Sequence, residues 1–138
     1  MGNKQIIFTA PNTAELVDVP TGEPGEFDVL VDVAYSTISP GTERANITGD
    51  MNIAPGRDAA HTHGFPRKLG YSAAGTVIKV GSRVTRVKVG DRVIVNQVTS
   101  CGHCYPCKIG RGNVCDNLKV RGVHIDGGYR EFITVPES

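Results

Sequence analysis

The sequence predicts a mainly β domain, and three observations support this fold class. The 138-residue chain contains 17 glycines and 8 prolines, which divide it into short segments. Between these breaks lie runs rich in valine and isoleucine, the β-branched residues that strands favour. No long stretch repeats its apolar residues with the helical period of 3.6. The length and the 39% hydrophobic content fit one globular domain with a core of its own.

Three strands are predicted in the first part of the chain. Residues 4–9 and 15–19 lie on either side of Pro11-Asn12, a pair of residues typical of turns. We therefore expect the two strands to form a hairpin. A third strand covers residues 27–35, where apolar and acidic residues alternate with a period of two. The alternation predicts that one face carries Val29, Val31, Val33 and Tyr35, and that the other carries Asp28 and Asp32.

A turn and a short helix are predicted after this strand. Pro40-Gly41 breaks the strand, and Thr42 is placed to cap a helix that runs to about Ile47. Residues 46–65 are polar and without period, which predicts a surface loop. His61 and His63 stand two positions apart in that loop, where histidines are more often solvated than metal-bound.

The later strands are predicted to lie on both sides of a cysteine-rich segment. Residues 76–80 and 92–95 precede it, with a turn at Gly90-Asp91 between them, and residues 129–135 follow it. The small residues at 72–75 allow close packing of neighbouring backbones. The cysteine-rich segment is therefore a long excursion from the sheet.

All four cysteines lie in this excursion, in the spacing C-x2-C-x2-C-x7-C, as Cys101, Cys104, Cys107 and Cys115. Two-residue gaps bring sulfurs within reach of one ion, and the longer gap lets the chain turn back with the fourth. Four thiolates suit zinc in a closed, structural site. Two disulfides, free thiols or an iron centre are the alternatives. His103 is then a solvated loop side chain, because four sulfurs already complete the site.

Composition and missing motifs exclude several functions. The net charge of +1 and the near-neutral pI of 7.7 give no excess of positive charge that would indicate binding to nucleic acid or an anionic membrane. No apolar run approaches the roughly 18 residues that span a bilayer, and no secretory signal is seen, so we expect a soluble cytoplasmic protein. Gly110-Arg111-Gly112 begins a dinucleotide-binding pattern, but Cys115 occupies its third glycine position.

Taken in order, several motifs carry a family resemblance: S-P-G-T-E, G-Y-S-A-A-G-T-V-I-K-V-G, V-G-D-R-V, the four-cysteine lobe and G-V-H-I-D-G-G-Y-R-E-F. Together they resemble the amino-terminal, GroES-like catalytic domain of the zinc-type medium-chain dehydrogenase/reductase superfamily. The resemblance covers nearly the whole chain and implies a distorted antiparallel β-barrel with short helices. It also implies one domain over residues 1–138, with a structural zinc in a lobe at about 100–116. In this family NAD(P) is bound by a separate Rossmann domain, which this chain lacks, so an excised or truncated domain is expected.

The departures from the family pattern concern the catalytic zinc. Its cysteine, histidine and glutamate ligands align with Pro40, Tyr71 and Ser72, none of which binds zinc well. Thr42 matches the family's hydroxyl residue that relays a proton from the alcohol. Glu43 matches the family's acidic residue that lies next to the metal ligands without binding the metal itself. The alternative is that Thr42 caps a helix and Glu43 favours its amino-terminal end. Tyr71 and Thr42 are candidate proton donors in a metal-free reaction.

The resemblance implies the substrate-side domain of an NAD(P)-dependent oxidoreductase that acts on an alcohol or a carbonyl compound. Without the cofactor domain and the catalytic zinc ligands, the chain alone is expected to be inert. We also expect it to self-associate, because apolar surface that a partner domain covers would be open. The alternative is a self-contained, zinc-stabilised binding or assembly module.

Overall fold

The computed structural model describes residues 2–50 and 64–137. Within these ranges strands predominate, as the sequence predicts, and no helix there is long and apolar enough to span a bilayer. The elements are β1 (Lys4–Ala10), β2 (Thr13–Asp18), β3 (Asp28–Ser36), α1 (Pro40–Thr48), β4 (Ala73–Val80), β5 (Arg92–Val95), β6 (Val98–Thr99), a one-turn helix (Tyr105–Lys108), a 3-10 turn (Gly112–Val114), β7 (Lys119–Val120) and β8 (Phe132–Pro136).

The described strands form three antiparallel sheets. The predicted hairpin is present as β1 and β2, and a four-stranded sheet has the order β5-β4-β3-β8. The third sheet pairs β6 with β7. The backbone N–H of Ile6 donates to the carbonyl of Tyr129 at 2.9 Å, and that of Glu131 donates to Lys4 at 3.0 Å. These two bonds attach the hairpin to the segment that leads into β8.

The main core lies on one face of the four-stranded sheet. Its buried members are Val29, Val31, Ala73, Val77, Val95, Ile133 and Val135. The predicted alternation along β3 places Val29 and Val31 correctly but is wrong for Tyr35, which is 73% exposed. The pairing of β3 with β4 shifts register twice, between Leu30 and Val31 and again just before Tyr35. Each irregularity turns the following side chains away from a strict period of two.

The small residues at the start of β4 allow close backbone contacts, as predicted, and Gly70, before the predicted segment, makes a further one. A Cβ added to Gly75 would lie 1.9 Å from the carbonyl oxygen of Asp32 on β3. Gly70 has φ +96°, a conformation that favours glycine, and the ring of Tyr129 packs directly against it. Any side chain at either position would push these segments apart.

Two strands, β4 and β8, begin three residues away from their predicted starts, and the other predicted strand boundaries differ by at most two residues. β4 begins at Ala73, three residues earlier than predicted, because Ala73 and Ala74 pair with both β3 and β5. β8 begins at Phe132 and not at Tyr129, because Tyr129 and Arg130 pair with β1, and Glu131 bonds to both β1 and β3.

The start of α1 also differs from the prediction. Ser39 is the N-cap residue, and Pro40 occupies the first helical position, where its fixed φ and missing N–H carry no penalty. Thr42 therefore lies inside the first turn, and its predicted capping role is wrong. Gly49, with φ 75°, closes the other end in the left-handed conformation.

Candidate metal centre and substrate-side residues

The cysteine lobe is closed at its base by β6 and β7. Val98 pairs with Val120, and Thr99 pairs with Lys119, so the chain leaves and re-enters the domain at one place. These two-residue strands were not predicted, because a pair of residues shows no periodicity. The four cysteines all lie between the two strands, and the one-turn helix and the 3-10 turn fold the chain back on itself.

The four sulfur atoms form a compact group. All lie within 4.8 Å of one another, and Sγ of Cys104 is 3.7 Å from Sγ of Cys115. A zinc ion with four sulfurs at about 2.3 Å has sulfur–sulfur edges of about 3.8 Å. The cysteines are not joined as disulfides. The donor set and its spacing therefore fit a tetrahedral metal site.

Backbone N–H groups point at these sulfurs. The N–H of Cys101 and that of Asn117 donate to Sγ of Cys115, both at 3.3 Å. Backbone N–H groups of His103 and Cys104 lower the pKa of the Cys101 thiol to about 5. Burial and the neighbouring Cys104 sulfur raise the pKa of Cys107 to about 11. The lobe thus favours negative charge at one sulfur and, without a cation, resists it at another.

His103 is exposed, and its Nδ1 lies 2.8 Å from the carbonyl oxygen of Cys101. It is outside the group of four sulfurs. This placement agrees with the interpretation of His103 as a loop side chain.

Glu43, predicted as the acid of the substrate site, is 8% exposed, and each of its two carboxylate oxygens accepts a hydrogen bond. Its Oε1 accepts a hydrogen bond from the hydroxyl of Tyr129 at 2.9 Å. Its Oε2 accepts one from the backbone N–H of Ser39 at 3.2 Å. The carboxylate therefore satisfies an N–H at the start of α1, which supports the alternative interpretation that Glu43 stabilises the amino-terminal end of the helix.

Thr42 precedes Glu43 and is half-buried. Its Oγ1 lies 3.4 Å from Oγ of Ser39, and its carbonyl oxygen accepts a hydrogen bond from Nδ2 of Asn46 at 2.9 Å. The hydroxyl is thus held near the start of α1.

Tyr71 is half-buried and directly follows Gly70, which packs on the ring of Tyr129. Burial, the hydrogen bond to Glu43 and the charge of that carboxylate raise the pKa of Tyr129 well above its usual range. Tyr129 therefore contacts both Glu43 and the segment that carries Tyr71. Tyr129 was not identified as a site residue from the sequence. The preceding Gly127-Gly128 pair could have indicated it, because these glycines let the backbone before Tyr129 pack closely on residues 68–70.

The positions aligned with the family's catalytic zinc ligands offer a poor donor set. Pro40 is exposed and has no donor, while Ser72 uses its carbonyl oxygen to accept the N–H of Thr37 at 3.1 Å. Across residues 2–50 and 64–137, the cysteine lobe is the only group of three or more potential ligands close enough to hold a metal. His61 and His63 lie outside the described residues.

Comparisons with known proteins agree on one family. A family model for the alcohol dehydrogenase GroES-like domain matches residues 25–138. A zinc-type alcohol dehydrogenase-like protein of Haemophilus influenzae is 42% identical over 135 residues, which are 96% of this chain and 36% of the relative. The chain thus spans about a third of the length of the curated relatives it matches.

Two solved structures have the same fold. The alcohol dehydrogenase RspB of Escherichia coli, crystallised with NADH, is 34% identical with a TM-score of 0.81, over 99% of this chain and 36% of that one. An oxidoreductase of unknown specificity from Escherichia coli is 30% identical with a TM-score of 0.83, over 99% of this chain and 38% of that one. In each case the similarity covers one part of a longer protein.

Proposed function

The chain belongs to the alcohol dehydrogenase GroES-like domain family, and from this membership we propose that it forms the substrate side of an NAD(P)-dependent oxidoreductase. The substrate is an alcohol or a carbonyl compound. The presence of NADH in the similar RspB structure supports a nicotinamide cofactor, which a second domain would bind. Without such a domain this chain is inert.

The observation that carries the structural part of the proposal is the group of four sulfurs within 4.8 Å of one another. Cys101, Cys104, Cys107 and Cys115 would hold one zinc ion. Four protein ligands leave no open position, so this metal stabilises the lobe and takes no part in the reaction. Its binding energy is at the same time folding energy for a short, glycine-containing segment.

The substrate-side residues favour proton transfer by hydroxyl groups. A nicotinamide cofactor would supply the hydride. Tyr71 or Thr42 would donate a proton to the oxygen of the carbonyl group that is reduced, the role that hydroxyl side chains take as general acids. Glu43 would act indirectly, because its two oxygens already accept hydrogen bonds from Tyr129 and Ser39.

The test is a fusion of this domain to the cofactor domain of the Haemophilus influenzae relative, assayed with alcohols, aldehydes and enones. We expect reduction of a carbonyl compound that continues after strong chelation while the cysteine lobe keeps its zinc. Replacing Tyr71 by Phe, or Thr42 by Val, is expected to lower the rate at least about a hundredfold if that residue is the proton donor.

Two outcomes would overturn the proposal in different ways. Turnover with none of the compounds would reject the oxidoreductase function. Turnover that chelation removes, while the lobe stays metallated, would reveal a second metal and reject the hydroxyl mechanism.

A further inference from the structure

Helix α1 carries Thr42 and is attached to the domain mainly by polar contacts. Its two buried side chains are Glu43 and Asn46, and half-buried Ile47 adds an apolar contact. Nη1 of Arg67 donates to the carbonyl oxygen of Asn46 at 2.9 Å and lies 3.3 Å from its Oδ1. The carboxyl-terminal half of the helix therefore has an anchor of its own, and the first turn depends on Glu43.

Tyr129 is the partner of Glu43 and also touches the segment that carries Tyr71. Its hydroxyl donates to Oε1 of Glu43 at 2.9 Å. Its ring packs so closely on Gly70 that a Cβ there would lie 2.7 Å from ring atom Cδ1. The backbones are joined too, because the N–H of Gly128 donates to the carbonyl of Gly70 at 2.6 Å. One side chain thus contacts both segments that bear the proposed proton donors.

We infer that Tyr129 is a positioning residue of the substrate site, and that its hydroxyl fixes the first turn of α1, with Thr42, relative to Tyr71. The importance of Thr42 and Tyr71 rests on the proposed function. The link that Tyr129 makes between the two segments is an observation of its contacts and does not depend on that function.

The hydroxyl and the ring of Tyr129 have separate roles. The ring packs with Phe8 and Leu69 in a small apolar cluster, which phenylalanine would preserve. The hydroxyl is a hydrogen-bond donor to the buried carboxylate of Glu43. A buried carboxylate that loses a donor is destabilised, and it gains by moving toward water. Because Glu43 also holds the N–H of Ser39, such a movement would shift the start of α1.

The experiment compares Tyr129→Phe with Tyr105→Phe in this chain. Tyr105 is 74% exposed on the cysteine lobe, so its variant controls for the loss of a phenol hydroxyl. We expect amide hydrogen exchange at Ser39 and Glu43, whose backbone N–H groups are hydrogen-bonded at the start of α1, to become roughly tenfold faster in Tyr129→Phe, the effect of losing one buried hydrogen bond. Exchange in β4 is expected to stay the same, and Tyr105→Phe is expected to match the unmodified chain.

A kinetic measurement separates positioning of the site from a purely structural role. In the fusion enzyme described above, we expect Tyr129→Phe to lower kcat roughly tenfold with KM little changed, because Tyr129 acts on the proton donors and not on the substrate. Unchanged exchange at Ser39 and Glu43 would overturn the inference, whether or not the fusion is active. Faster exchange with an unchanged kcat would also overturn it, while an inactive unmodified fusion would count against the proposed function alone.

Discussion

The sulfur atoms of Cys104 and Cys115 lie 3.7 Å apart, although the residues are 11 positions apart in the chain. Cys104 precedes the one-turn helix and Cys115 follows the 3-10 turn, so the two short elements bring the sulfurs together. No disulfide joins them. The fold of the lobe therefore brings four sulfurs into an arrangement that fits one tetrahedral cation.

We predict that the purified protein carries one zinc ion per chain and that Cys107→Ser loses most of it. A serine hydroxyl is a weak zinc ligand, and the lobe has little apolar packing of its own to replace the metal. The four-stranded sheet should stay folded, because its core lies outside the lobe. Elemental analysis and circular dichroism measure the two effects.

The control for this prediction is His103→Ala, which changes an exposed residue within the lobe. It should keep its zinc. Two zinc ions per chain, or full zinc content in Cys107→Ser, would contradict the assignment.

We predict that Gly75→Ala destabilises the domain by about 3 kcal/mol, since overpacking a buried site costs roughly that amount. The added Cβ would lie 1.9 Å from the carbonyl oxygen of Asp32, so β3 and β4 would have to separate. Gly41→Ala is the matched control, because Gly41 lies in α1 with nothing within 4 Å of its added Cβ. Urea unfolding should show a loss of stability for the first variant only, and equal midpoints would contradict the prediction.

Sequence reasoning found the elements that depend on local pattern. The hairpin, the strand Arg92–Val95 and the four-cysteine group were all predicted from spacing and alternation. It failed where distant segments decide the outcome. The exposure of Tyr35 follows from irregular pairing with β4, and the buried bond of Tyr129 to Glu43 joins residues 86 positions apart.

The error at Thr42 has a local cause. Ser39 and Thr42 are both suitable N-cap residues, and the choice between them depends on Pro40. Proline at the first helical position moves the helix start to the residue before it.

We predict that Tyr129 gives the domain a distinct loss of stability at high pH. Burial raises the pKa of Tyr129 above its usual value of about 10, so the folded chain keeps a proton that the unfolded chain releases. The stabilisation is complete below about pH 10 and is lost as the pH rises from there through the folded pKa. Over that interval the free energy of unfolding falls by up to about 1.4 kcal/mol per pH unit more steeply than in Tyr129→Phe.

Urea unfolding of both proteins from about pH 9 to about pH 11 tests this difference. Tyr105→Phe should keep the steep slope of the unmodified chain, because Tyr105 is exposed. Parallel slopes for the unmodified chain and Tyr129→Phe would show that the Tyr129 phenol is not held protonated by the fold.

An apolar row crosses the outer face of the four-stranded sheet. Tyr35 on β3 pairs with Ala74 on β4, and Ala74 pairs with Ile94 on β5. Ile94 is 83% exposed, which makes it the most exposed large apolar residue of the described chain. β5 is also an edge strand in this sheet, so its outer backbone groups are open to pairing.

We predict that this chain self-associates through that row and that Ile94→Lys weakens the association at least about tenfold. A lysine at the centre of an apolar contact must be desolvated, and a charge on an edge strand opposes pairing between strands. Sedimentation velocity over a range of concentrations measures the change. Ile109→Lys is the matched control, because Ile109 is 50% exposed on the cysteine lobe, away from the sheet. An unmodified chain that stays monomeric at high concentration, or equal weakening by both variants, would show that the row is not the contact surface.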